Sequence, residues 1–130
     1  LSERADSDQQ LLALISYIAR NEGLRVNRRL ALRVIESWQH APDRGTTARM
    51  LHVAALSGDA SLYQQAIETA ARFLLAGRVP SLTAAELRQL VESEYWILPA
   101  ENRSGGAGFA LKQRMARLRR ELSATTPGES

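Results

Sequence analysis

A chain of 130 residues, 45% hydrophobic and 24% charged, has the size and balance of one soluble globular domain, long enough to bury a core without covalent staples. The lack of cysteine excludes disulfides and thiolate chemistry, and no run of about 18 apolar residues is present to span a membrane. Arginine supplies sixteen of the seventeen basic residues, and the net charge of +3 is concentrated in residues 101–130, which carry six basic and three acidic groups. That surplus is too small to identify a nucleic-acid binder by itself.

The opening "LSERADSDQQ" is polar and of mixed charge, unlike a secretory signal. With Leu1 in place of an initiator methionine, the expectation is a processed chain or a domain of a larger protein, cytoplasmic, with residues 1–6 disordered. Ser7-Asp8-Gln9-Gln10 fits a capping box. Leu11, Leu14, Ile15 and Ile18 follow at helical spacing and Gly23 supplies a stop, which predicts a helix over roughly 8–22.

Asn27 is placed to cap a second helix whose apolar face is Leu30, Ala31, Val34, Ile35 and Trp38, ending near His40 before a Pro42-Asp43-Arg44-Gly45 turn. Thr46 or Thr47 then caps a third helix, stopped by Gly58. Its run Met50–Leu56 is apolar nearly all round, the mark of a central helix. Asp59 or Ser61 opens a fourth helix to about Ala76, with Gly77 at its end. The helix–Gly–Asp–helix stretch has the look of a tetratricopeptide-type hairpin, but no second copy follows at a 34-residue period, so it reads as a hairpin within a bundle. Thr83-Ala84-Ala85-Glu86 is a clear capping box for a fifth helix, halted by Pro99. Gly105-Gly106-Ala107-Gly108 reads as a loop, followed by a basic helix over 108–122 and a disordered tail over 123–130. No period-two alternation is sustained. The expected fold is all-α: a single-domain bundle of five or six helices with short loops, occupying residues 7–122.

Four features carry candidate chemistry. The glycine cluster before a helix suits an anion, since glycine N–H groups and the helix dipole attract negative charge. Yet no strand precedes it and no nucleotide-binding fingerprint matches, so a hinge is the favoured reading. In the basic helix, Leu111, Met115, Leu118 and Leu122 fall within about a 60° stripe at the 4-3-4 spacing of a coiled-coil seam. With Tyr95 and Trp96 of the apolar run before the glycines, they form the candidate interaction seam. Arg28 and Arg29 sit in the first turn of a helix, where the dipole disfavours cations. That local conflict points either to an anion site or to a salt bridge with an acid such as Glu22 or Glu92. Trp38 and Trp96 read as core or half-buried plugs, and Tyr17 and Tyr63 as residues at the rim of the core.

His40 and His52 have no acidic residue at ligand spacing, and Glu92 and Glu94, two apart, face different ways. No serine sits in a nucleophile elbow. The expectation is therefore a non-enzymatic module with no metal or cofactor, docking a protein partner or a second copy of itself through the seam. The alternative is a nucleic-acid binder in which Arg28, Arg29, Arg103, Lys112, Arg114, Arg117 and Arg120 contact phosphates.

Overall fold

Helix starts in this chain are set by side chains that accept the unpaired N–H groups of a first turn. In the computed structural model, which describes residues 27–124, Asn27 accepts from the Leu30 N–H at 2.8 Å and opens α1, Arg28–Trp38. Asp43 opens α2, Arg44–Leu56, in a reciprocal capping box with Thr46. Asp59 accepts from the N–H groups of Ser61 and Leu62 and opens α3, Ala60–Leu75. Thr83 and Glu86 form the anticipated box at α4, Ala84–Tyr95. A short α5, Ala100–Ser104, and the long α6, Gly106–Ala124, complete the set. The helix expected over 8–22, Tyr17, and residues 1–6 and 125–130 lie outside the described residues.

The cap of α2 is Asp43 rather than Thr46 or Thr47. A carboxylate both accepts the hydrogen bond and complements the positive end of the dipole. Arg44 and Gly45, read from sequence as turn, become the first helical residues, and the displaced threonines turn inward. Thr47 is fully buried and accepts the indole N–H of Trp38 at 3.0 Å.

The all-α bundle is built around α2, which buries Met50, Leu51, Val53, Ala54 and Ala55 and packs against α1, α3 and α4. On the far side, α6 closes the bundle against α3, α4 and α5. Between α3 and α4 the chain turns at Gly77, whose φ of +74° suits glycine. Its N–H donates to Leu74 and that of Arg78 to Phe73, so the last carbonyls of α3 are satisfied. Ion pairs report the helix directions. His52 and Glu94 are 42 residues apart, as are Arg44 and Glu86, so α2 and α4 run parallel. Arg119 with Glu92, and Arg88 with Ser123, make α4 and α6 antiparallel.

The glycine segment is not an open loop. Gly105 marks a break in the helix, and Gly106 already belongs to α6. A Cβ on Gly108 would lie 2.5 Å from the backbone of Asn102 and Arg103, so α5 crosses α6 at a distance only glycine permits. Asn102 donates to the Gly58 carbonyl and ties α5 to the α2–α3 turn. Gly108 thus serves a close helix crossing, a role distinct from the expected hinge, while Gly106 has open space around it.

Candidate interaction site

The leucine stripe of α6 is already occupied. Leu111, Leu118 and Leu122 are at most 2% exposed and belong to the core built with α3 and α4. Met115 packs half-buried against them, and Tyr95 is buried. The proposed seam is thus corrected: five of its six residues face inward. A 4-3-4 stripe records that a helix packs along one edge and does not say against what.

Trp96 is the exception, and it overturns the reading as a plug. It is 67% exposed, immediately after the last turn of α4. Its ring meets Tyr95 edge-on at 5.2 Å, and the Arg103 guanidinium lies over it at 4.9 Å. Arg103 also donates to the Leu98 and Trp96 carbonyls, which it satisfies while orienting the indole. Tyr63, expected at the rim, is instead fully buried and donates to the Val91 carbonyl.

From Trp96 an open groove of about 800 Å³ runs along the seam of α2 and α4. Arg44, Gly45 and Ala48 line it from α2, and Glu86, Gln89, Leu90 and Ser93 from α4. Leu82 and Trp96 complete the apolar lining. The parallel register explains the concavity: Ala48 lies level with Leu90 between the Arg44–Glu86 and His52–Glu94 pairs, so a methyl stands where a larger side chain would fill the space. Arg44 and Glu86 meet at 2.8 Å. The Glu86 carboxyl is held below its ordinary range, first by the Thr83 N–H, which outweighs the opposing desolvation, and further by the Thr83 hydroxyl and Arg44.

One pairing was invisible from spacing. His52 Nδ1 donates to Glu94 Oε1 at 2.8 Å, both side chains being 19% exposed. Its Nε2 is buried without a hydrogen-bond partner. Burial, and then the Glu94 charge, push the Tyr63 hydroxyl above its ordinary range, so it stays a protonated structural donor. His52 and Glu94 do not line the groove. The only hint in the sequence was a histidine within an apolar run, and its partner depends on helix register.

The seven cations proposed for phosphate divide in two. Arg28 pairs with Asp59, which answers the charge conflict at that position through the cap of α3; Glu22 lies outside the described residues. Glu92 is taken by Arg119. Arg103 is spent on carbonyls and Trp96, and Arg114 lies between Glu68 at 3.2 Å and Glu121 at 3.4 Å. Arg29, Lys112, Arg117 and Arg120 form no ion pair among the described residues. Arg29 stands on α1, apart from the other three on α6.

Among the described residues no group of three or more His, Asp or Glu side chains is placed to hold a metal, and no helix is long and apolar enough to cross a membrane. Comparison with protein-family models, with curated proteins and with solved structures gives no match.

Proposed function

We propose that this chain is a non-enzymatic protein-interaction module that self-associates through Trp96 and the adjoining α2–α4 groove. The observation that carries the reading is the pairing of a knob with a hole on one surface: an indole 67% exposed beside an open groove of about 800 Å³. A two-fold axis across the groove sets each Trp96 into the other copy's apolar lining of Leu82, Leu90 and Ala48, and such a contact closes on itself. The rim is self-complementary in charge. Arg44, paired with Glu86, stands at one end and Glu92, paired with Arg119, lies toward the other, with side chains 67% and 53% exposed, so the same axis lets each ion pair extend to its counterpart across the contact. Tryptophan is the residue type most often found as an energetic anchor in such contacts.

Sedimentation equilibrium across rising protein concentration tests the reading. The expected result is a concentration-dependent dimer that responds weakly to salt and is lost in Trp96→Ser. A protein that stays monomeric throughout, or a dimer indifferent to Trp96→Ser, overturns it.

A further inference from the structure

The outer face of α6 combines three features. Taking 100° per residue, Phe109 and Arg120 lie almost opposite the Leu111/Leu118/Leu122 stripe, with Lys112 and Arg117 flanking them at about 60–80°. Phe109 is 62% exposed. Lys112, Arg117 and Arg120 are exposed and make no ion pair among the described residues. The single acid of the helix, Glu121, is held by Arg114 at its edge. Other arginines do meet carboxylates, among them Arg28 with Asp59, Arg44 with Glu86 and, at the edge of α6, Arg119 with Glu92. On this face the cations are uncompensated, and they follow an exposed aromatic ring at its N-terminal end, Lys112 one turn on and Arg117 and Arg120 about two and three turns on.

We propose that the outer face of α6 docks on an anionic phospholipid surface, with Phe109 entering the headgroup layer while Lys112, Arg117 and Arg120 meet lipid phosphates and carboxylates. Charge complementarity selects an anionic partner, and Phe109 selects lipid over nucleic acid. A ring on the midline of the face is buried by the headgroup–acyl boundary, whereas a duplex backbone offers it only phosphates and sugar. Three cations are also few for a duplex, where the salt slope scales with the phosphates neutralised. The helix lies flat on the surface, because its inner stripe stays in the bundle core.

Co-flotation with vesicles is the test, comparing phosphatidylcholine alone with phosphatidylcholine containing 30% phosphatidylserine, at about 50 and 200 mM salt. Each cation near such a surface strengthens attachment roughly five-fold, so Arg117→Glu with Arg120→Glu is expected to lower it more than ten-fold. Phe109→Ser is expected to weaken it several-fold. All three residues are exposed, so circular dichroism of the variants should match the parent. Equal attachment to both vesicle types, or none, overturns the proposal. So does attachment that survives the double charge reversal. Binding of a random duplex that depends on Arg117 and Arg120 but is indifferent to Phe109→Ser, without vesicle attachment, assigns the face to nucleic acid instead.

Discussion

The inner stripe of α6 and the groove beside Trp96 are both apolar strips along helices, and they differ in what covers them. Leu111, Leu118 and Leu122 lie under α3 and α4 and lose essentially all contact with water. Among the described residues the groove has two walls, α2 and α4, and nothing covering it; Trp96 at its end keeps two-thirds of its surface exposed. Burial within the chain converts an apolar side chain into folding stability. The same side chain left at an open edge contributes little to folding and is available to another molecule. Function should therefore be sought where the walls stop.

Substitutions that break this contrast rank by how deeply the side chain is covered. Leu118→Ala, at a site 2% exposed, should cost about 2–5 kcal/mol in chemical denaturation, the range for a truncated core leucine. A loss under about 1 kcal/mol would return the stripe to the surface. Gly108→Ala should cost about 1–3 kcal/mol by overpacking, because the added methyl meets the α5 backbone at 2.5 Å. Unchanged stability there would mean that α5 can lift away freely. Trp96→Ser should alter stability by less than about 1 kcal/mol, the scale of its contact with Arg103, while removing the dimer.

The smallest effect is a pH dependence at the α4 cap. The Glu86 carboxyl is lowered in the fold from an ordinary value of 4.5. Its contribution to stability is therefore complete above that value and is lost as pH falls below it through the folded value. Denaturation midpoints measured between pH 6 and 3 should show that component in the parent and lack it in Glu86→Gln. An identical acid profile in the two proteins would exclude a linked role for the cap.

Caps and stops were legible because each is decided within a few residues. Asn27, Asp59 and Thr83 each hold N–H groups two or three positions ahead, and Gly77 ends α3 through bonds to Leu74 and Phe73. The central place of α2 was legible too, since a helix apolar on every side has nowhere else to go. Where two local signals competed, the reading slipped: Asp43 lay just ahead of two threonines, and the glycines of α6 resembled a loop because their close neighbour, α5, was not foreseen. The candidate sites were less legible. Trp96 was picked out as a residue type, but the core took up the other five members of its seam.

Read alone, the sequence determined the all-α class, the helix starts at Asn27, Asp59 and Thr83, and the presence of an apolar stripe and a basic face on α6, because these follow from hydrogen bonds and periodicities within a few turns. Tertiary structure alone decided which apolar strip was covered and which cations were neutralised. Arg28 with Asp59, His52 with Glu94 and Arg119 with Glu92 join residues 27 to 42 positions apart. Such pairs form only when packed helices come into register, and that register belongs to the whole bundle rather than to any one helix.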